Sequence, residues 1–319
     1  MPLCSGRSFF AARVSEAADL ASPPRSRTAR WAAVLVWVVP LMWSSNYLIA
    51  RLASEVIAPH ALALGRWTLA ALLLLPWVGA GVWRQRAVLR REAPQLLVLG
   101  LLGMYICGAW VYIGGRSTPA TNIALIYAVT PMAIAVVSAR LLQERMHVSQ
   151  WLGVGMALLG LLFIIAKGDI ANLMAVRLTP GDLWIVAAAA SWTAYSVLLK
   201  RWPSRLGPAE RLLAIILGGL LWLLPTTLLE PLWASAPPLG WAALGLVLLA
   251  AVLPGVLSYA AYSFLQRELG AARTAVMLYL APLYGALLAW LELGEVPGWY
   301  HLAGALLILP SIWLATRRG

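Results

Sequence analysis

The stretch ALIYAVTPMAIAVVSARLLQE (124–144) decides the fold, because its pattern recurs in AVMLYLAPLYGALLAWLELGE (275–295). In the first copy Pro131 lies inside an apolar run, and Glu144 follows it after thirteen residues. Pro282 and Glu295 repeat that interval 151 positions later, and in both copies a glycine follows the glutamate after nine residues. Self-similarity at a fixed offset predicts that the chain is a duplicated unit.

A second pair of segments supports the duplication. WSSNYLIAR (43–51) and WTAYSVLLK (192–200) both begin with tryptophan and end with a cation. Each lies in an apolar run long enough to form a membrane helix. A duplicated unit made of membrane helices is typical of transporters.

The composition predicts an integral membrane protein from end to end. Hydrophobic residues make up 62% of the chain and charged residues only 11%, whereas soluble domains carry about 25% charged residues. So few charges cannot cover the surface of a soluble domain, which excludes a separate soluble enzyme. Cys4 and Cys107 lie too far apart in the sequence to indicate a metal site or a disulfide framework.

Ten apolar runs have roughly the 20 residues that a helix needs to cross the hydrocarbon layer. Their predicted bounds are 31–50, 58–78, 95–113, 119–140, 149–166, 182–199, 210–229, 239–263, 271–291 and 298–315. Residues 1–30 are predicted to be a disordered cytoplasmic tail, and they lack the apolar segment of a cleaved signal peptide. A start site placed too far upstream is the alternative interpretation.

The distribution of basic residues predicts how the chain is oriented. Although the net charge is +12, the cations lie mainly in the connections between apolar runs, so no nucleic-acid partner is predicted. Nineteen Lys and Arg residues fall on one side of the ten spans and four on the other. The positive-inside rule therefore places both termini in the cytoplasm. Five spans per half make the second copy run opposite to the first, which predicts an inverted repeat.

The predicted domain organisation follows from these spans. A first repeat of five helices covers 31–167, a linker covers 168–180, and a second repeat of five helices covers 181–316. Residues 317–319 form a short cytoplasmic tail.

The chain resembles the EamA-domain exporters of the drug/metabolite transporter superfamily over almost all of residues 31–316. The resemblance is carried by WSSN (43–46), Arg66, ALIYAVTP (124–131), LQER (142–145), Pro282 and LGE (293–295). In the family the last element usually reads leucine-glycine-glutamate-arginine, whereas here Gln143 replaces the glycine and Val296 replaces the arginine. The resemblance implies an all-α protein with ten helices in a 5+5 inverted repeat. It also implies export of small metabolites or amino acids across the bacterial inner membrane.

Arg66 is the one ionisable residue well inside a predicted span. A charge at that depth of the membrane costs free energy, so the residue is expected to have a function or a partner. One interpretation is a cation that faces a central cavity and binds a substrate carboxylate or phosphate. The other is a structural arginine that binds backbone carbonyls or extends toward the membrane surface.

Neutral polar and aromatic residues supply the other candidates for a substrate cavity. Such groups orient a zwitterionic or amphipathic solute without holding it too tightly to be released. They equally join helices or lie at membrane interfaces. The candidates beside Arg66 are Ser45, Asn46, Tyr47, Tyr105, Tyr127, Trp192, Tyr195, Tyr259 and Tyr279.

The repeated prolines and glutamates have different predicted roles. Pro131 and Pro282 each remove one backbone hydrogen bond, so they are predicted to kink their helices and to act as hinges. Glu144 and Glu295 follow the ends of spans on opposite faces of the membrane. We expect them to mark turns and to accept hydrogen bonds from backbone N–H groups of the following helix, rather than to carry protons.

These features predict a secondary transporter that exports small organic solutes by alternating access, without a cofactor or a metal. The predicted partners are a small-molecule substrate and the lipid bilayer, and a homodimer is left open. No Asp or Glu lies in the interior of a predicted span, since Asp182 and Glu210 are only at span starts. Transport driven by the gradient of the solute is therefore favoured over proton coupling. A sugar-phosphate or nucleotide-sugar exchanger and a non-transporting scaffold are the alternatives.

Overall fold

The computed structural model describes residues 27–53, 56–232, 240–294 and 296–316. Residues 1–26 of the predicted N-terminal tail, the predicted C-terminal tail 317–319, and Glu295 lie outside these ranges. Residues 27–30, which the sequence placed in the tail, instead belong to the first helix.

The described chain is helical and contains no strand. We number ten long helices in chain order and leave the short helix Ile170–Met174 and the 3-10 turn Glu230–Leu232 unnumbered. The first five are α1 (Arg27–Ala53), α2 (Pro59–Arg84), α3 (Arg86–Gly115), α4 (Ala120–Ala128 continued by Thr130–Leu141) and α5 (Val148–Ile165). The second five are α6 (Asp182–Arg201), α7 (Pro208–Leu229), α8 (Trp241–Leu269), α9 (271–293) and α10 (Trp299–Thr316).

Nine helices of the described chain are long and apolar enough to cross a membrane. They are α2 to α10, which confirms an all-α, multi-pass membrane protein. The helix α1 is 27 residues long but is not among the nine, so the count of ten spans stays a prediction.

Several helices extend beyond the apolar runs at the end of the bundle that carries most of the arginines. We call this the basic end; its connections are residue 85 and residues 142–147, 202–207 and 270. The helix α3 begins at Arg86 rather than at residue 95, and α8 continues to Leu269 rather than ending at residue 263. Arg, Glu and Leu are good helix formers, so polar residues there continue the helix past the apolar run.

Contacts between the two halves follow the pattern of a two-fold relation. The helix α2 packs along α7, and α5 packs along α10, which are equivalent positions in the two repeats. The helix α1 contacts α8 and α9, and its counterpart α6 contacts α3 and α4 in the same way. The first helix of each repeat therefore packs against the third and fourth helices of the other.

Glycines allow the closest of these helix contacts. A Cβ added at Gly160 would lie 2.9 Å from the carbonyl oxygen of Gly304, and one at Gly304 would lie 2.8 Å from that of Gly160. A Cβ at Gly153 would lie 2.9 Å from the carbonyl oxygen of Ser311. The small residues of α5 thus pack against α10 of the same chain.

Both repeats depart from regular α-helix at equivalent places. The segments Leu101–Trp110 in α3 and Val252–Leu257 in α8 are π-helical, and their starts are 151 residues apart. The helix α4 is interrupted at Val129 before Pro131, and α9 passes through the 3-10 segment Met277–Leu280 before Pro282. Since proline cannot donate the backbone hydrogen bond of a continuing helix, irregular helix is observed beside both prolines. Their role as hinges stays a prediction.

Candidate functional site

Arg66 lies buried between helices of both repeats, with only 4% of its surface exposed. Its Nη1 donates to Oδ1 of Asn46 at 3.3 Å and to the hydroxyl of Tyr112 at 3.4 Å. Its Nη2 donates to the backbone carbonyl of Pro254 at 2.7 Å. The Tyr112 hydroxyl in turn donates to Oδ1 of Asn46 at 2.8 Å. All these partners are neutral.

The π-helical segment of α8 explains why a carbonyl is available to Arg66. In regular α-helix a carbonyl accepts from the N–H four residues later, and this pairing shifts in a π-helix. The Pro254 oxygen accepts both from Arg66 and from Nε1 of Trp43, the latter at 3.2 Å. Two side chains of the first repeat therefore converge on one carbonyl of the second.

The guanidinium of Arg66 has one N–H donor that is not used in a hydrogen bond among the described residues. Its Nε is buried and has no hydrogen-bond partner among the described residues. Within the same part of the chain, no carboxylate oxygen lies within 4.0 Å of its nitrogens. A buried charge held only by dipoles remains a strong site for an anion.

A cluster of six aromatic side chains lies beside Arg66, and we call it the aromatic cluster. Its members are Trp43, Trp67, Trp192, Tyr195, Tyr259 and Tyr262. The carbon at the centre of the Arg66 guanidinium lies 4.5 Å from the centroid of the Trp67 ring, within the range of a cation–π contact. The Trp67 ring meets that of Tyr259 edge to face at 5.0 Å.

The two tryptophans of the sequence echo meet in this cluster. The rings of Trp43 and Trp192 lie 5.2 Å apart at an interplanar angle of 88°, the edge-to-face geometry that aromatic pairs prefer. Trp192 also stacks on Tyr195, with ring centroids 5.3 Å apart. The equivalent first helices of the two repeats are thus joined through their matching tryptophans.

The structure brings together some of the predicted cavity residues and separates others. Asn46 and Arg66 are bonded to each other, while Trp192, Tyr195 and Tyr259 belong to the aromatic cluster. Ser45 donates to the carbonyl of Met42 in its own helix. Tyr105 is near His60 and Trp110. Tyr127 lies close to Cys107, Tyr279 is fully buried, and the Tyr47 side chain is outside the described residues.

Sequence reasoning missed several residues of this site. The hydroxyl of Tyr112 and the carbonyl of Pro254 are partners of Arg66, and Trp43, Trp67 and Tyr262 belong to the aromatic cluster. Trp43 carried a signal, because it is the repeat partner of Trp192.

Glu144 holds together the two repeats at the basic end. Its Oε1 accepts from the backbone N–H of Ala271 at 2.9 Å, and its Oε2 accepts from that of Ala272 at 3.0 Å. The expected kind of bond is present, but it is made to α9 and not to the following helix α5. The reason is that Gln150 accepts from the backbone N–H of His147, so the start of α5 has its own cap.

The connection around Glu144 uses unusual backbone at two positions. Gln143 has φ +52°, and its repeat counterpart Gly294 has φ +69°, both in the left-handed region that favours glycine. The turn therefore keeps its geometry although Gln143 replaces the glycine. Gly270, which precedes α9, has φ +89°, and a Cβ there would lie 3.0 Å from Oε1 of Glu144.

We expect Glu144→Ala to destabilise the protein by about 1–3 kcal/mol, because it leaves two buried N–H groups at the start of α9 without an acceptor. Thermal unfolding of the purified protein in detergent measures the effect. Glu268→Ala is the control, since this nearby glutamate at the end of α8 accepts no hydrogen bond among the described residues. Equal effects of the two substitutions would contradict the capping role.

A buried carboxylate, that of Glu230, caps a helix at the opposite end of the bundle. Glu230 accepts from the backbone N–H of His60 at 3.0 Å and from that of Ala61 at 3.1 Å. Its Oε1 also lies 2.9 Å from Nδ1 of His60. The start of α2 is thereby joined to the end of α7. Neither residue was among the predicted sites.

Comparison with known proteins decides the family. The model of the EamA-like transporter family matches residues 30–166 and again residues 179–317. This chain belongs to the EamA-like transporter family. A solved crystal structure matches this chain with a TM-score of 0.71 at 21% sequence identity. The match covers 89% of this chain and 96% of the chain in that structure, so the two share the same fold.

The EamA-like assignment agrees with the names of similar proteins. An uncharacterized transporter of Bacillus subtilis is 25% identical over 275 residues, 85% of this chain and 89% of its own. A probable terminal-alkyne amino-acid exporter of Streptantibioticus cattleyicolor is 29% identical over 292 residues, 90% and 93% of the two chains. An S-adenosylmethionine/S-adenosylhomocysteine transporter of Chlamydia trachomatis is 23% identical over 274 residues, 82% and 81% of the two chains. The EamA-like chain is therefore a transporter and not an enzyme.

Proposed function

We propose that this transporter exports small carboxylate-bearing organic solutes, amino acids above all, across the bacterial inner membrane. The observation that carries the proposal is the buried guanidinium of Arg66, which is surrounded by neutral partners only. The basic end is proposed to face the cytoplasm, in accordance with the positive-inside rule.

The charge of Arg66 favours an anionic group on the solute. Moving a charge into the membrane interior is costly, and dipoles offset only part of that cost. A carboxylate arriving beside the guanidinium offsets more of it, and the planar fork of donors matches two carboxylate oxygens. The unpartnered Nε supplies one donor without breaking an existing bond. This supports the cavity interpretation over a purely structural arginine.

The aromatic cluster suits the rest of such a solute. Its rings offer apolar faces next to the guanidinium, as in pockets that hold amphipathic ligands. Tyr195 and Tyr259 are both buried there, so a solute has to displace packed rings in order to pass. In this proposal the aromatic cluster closes the path between the basic end and Arg66.

The two-fold packing supplies a route for alternating access. Inverted repeats can exchange conformations, so that a central site opens to one face and then to the other. We propose that the irregular helix beside Pro131 and Pro282 takes up the bending. The similarity to an amino-acid exporter supports the direction of transport and the solute class.

The experiment is efflux from proteoliposomes loaded with amino acids or with their carboxamides. Leucine with leucinamide and phenylalanine with phenylalaninamide are matched pairs, and the other amino acids extend the panel. We expect at least one amino acid to leave about tenfold faster than its carboxamide, the factor for loss of one charged hydrogen bond. Carboxamides that leave as fast as the acids, or no efflux of any carboxylate, would overturn the proposal.

A further inference from the structure

A cavity of about 370 Å³ opens at the basic end between α6, α7 and α8. Its size lies within the range of small-molecule sites, about 300–1,000 Å³. Three cations line it, namely Lys200, Arg211 and Arg267. Apolar side chains, among them Leu212 and Ile215, form another part of the wall. The cavity thus combines positive charge with an apolar surface.

No carboxylate forms an ion pair with the cations of this cavity within the described chain. Lys200 donates to the carbonyl of Gln266 at 2.9 Å, and Arg211 donates to the carbonyl of Trp202. Neither bond involves a carboxylate, and among the described residues no carboxylate oxygen lies within 4.0 Å of these cations. Glu92 interacts electrostatically with Arg211, but its carboxylate accepts from Ser204 and from the N–H of Arg205.

Arg211 lines the cavity, and the hydrogen-bonding capacity of its guanidinium is not fully used within the described residues. Its Nε is buried and lacks a hydrogen-bond partner in the described part of the chain, while the Trp202 carbonyl fixes the other side of the guanidinium. A buried donor left unpaired costs free energy. An anion in the cavity would balance the charges of Arg211, Lys200 and Arg267.

The cavity also leads toward the Arg66 site. Tyr195 lies one helical turn before Leu199, which lines the cavity, and the Tyr195 ring stacks on Trp192. Trp192 meets Trp43, which shares the Pro254 carbonyl with Arg66. The aromatic cluster thus separates one arginine at the basic end from a second arginine beyond it.

We propose that this cavity is a second anion site, which binds the carboxylate of a small amphipathic solute at the basic end before it passes the aromatic cluster. The class of solute rests on the proposed function. The chemistry recognised is an anionic oxygen group beside an apolar body. A lipid phosphate carries the same chemistry, so the test has to separate the two sources.

The test is equilibrium dialysis of the detergent-purified protein with radiolabelled benzoate, and with benzamide as the neutral match. We expect saturable binding of benzoate, with one site per chain retained in Arg66→Gln, and binding of benzamide that is weaker by about tenfold or more. Arg211→Gln and Lys200→Gln should each weaken benzoate binding by about tenfold, and Arg211→Lys should restore part of it. Arg205→Gln should change nothing, because Arg205 is exposed and does not line the cavity.

Two further arms identify the source of the anion and separate this proposal from that of Arg66. Phosphatidylglycerol should displace benzoate no better than phosphatidylcholine does, and selective displacement by phosphatidylglycerol would overturn the solute site in favour of a lipid. Arg66→Gln should keep benzoate binding at this cavity while the efflux of carboxylates falls. Equal binding of benzoate and benzamide, or unchanged binding in both Arg211→Gln and Lys200→Gln, would refute the cavity site and leave Arg66 unaffected.

Discussion

Replacing Gly100 by alanine should prevent the two halves from packing and should remove most of the folded protein. A Cβ at Gly100 would lie 2.3 Å from the backbone nitrogen of Gly219 and 2.7 Å from the carbonyl oxygen of Ile215. Backbone atoms cannot rotate away as a flexible side chain does, so α3 and α7 have to separate. We expect a loss of about 3 kcal/mol or more, at the upper end for overpacked cores.

The measurement is the monodisperse fraction in gel filtration together with the melting temperature in detergent. Gly245→Ala is the matched control, since it also lies in a helix but has open space around its Cβ position. In a helix, the change from glycine to alanine should by itself stabilise the folded protein by up to about 1 kcal/mol. A Gly100→Ala protein that is as stable as the control would show that α3 and α7 do not pack this closely.

Arg66→Gln should slow the efflux of carboxylate-bearing solutes while leaving a folded protein. The glutamine amide retains a donor for the site but has no charge for a carboxylate. We expect efflux of a carboxylate-bearing solute to fall about tenfold, which corresponds to about 1.4 kcal/mol for a charged hydrogen bond. Arg66→Lys should show an efflux rate between those of the unmodified protein and Arg66→Gln, since lysine keeps the charge but lacks the planar fork of donors.

Efflux from proteoliposomes, normalised to the amount of folded protein, measures the effect. Arg116→Gln is the control, because Arg116 is an exposed arginine at the C-terminal end of α3. If Arg66→Gln merely lowered the folded amount and each folded molecule transported normally, the structural interpretation of Arg66 would stand. Loss of transport in both variants would point to a general effect of charge.

The sequence predicted the parts of the fold that repeat. The interval from Pro131 to Glu144 recurs in the second half, and an apolar run of about 20 residues has few alternatives to a membrane helix. Tandem matches to one family and the two-fold contacts between α1 and α6 and their neighbours agree with that duplication. Periodicity and length were sufficient because both are local properties of the chain.

The partners of Arg66 could not be predicted, because they depend on how distant helices pack. Asn46 lies 20 residues before Arg66, and Pro254 lies 188 residues after it. The Pro254 carbonyl is available only where α8 becomes π-helical, and no residue pattern marked that segment. The sequence indicated that Arg66 needed a partner but gave no means of choosing one.

The hydrogen-bond partner of Glu144 could not be predicted from the sequence either. The carboxylate at the end of a span correctly predicted a cap for backbone N–H groups. Proximity in sequence favoured α5, whereas the packed structure gives the cap to α9, 127 residues away. The chemistry of a residue was thus easier to predict than its partner.

The central claim is that the charge of Arg66 selects solutes by their carboxylate. The most direct measurement is the ratio of efflux of an amino acid to that of its carboxamide, determined in parallel for the unmodified protein and for Arg66→Gln. We predict a ratio of about ten or more in the unmodified protein, from one charged hydrogen bond, and a ratio near one in Arg66→Gln. A ratio that is the same in both proteins would contradict the account.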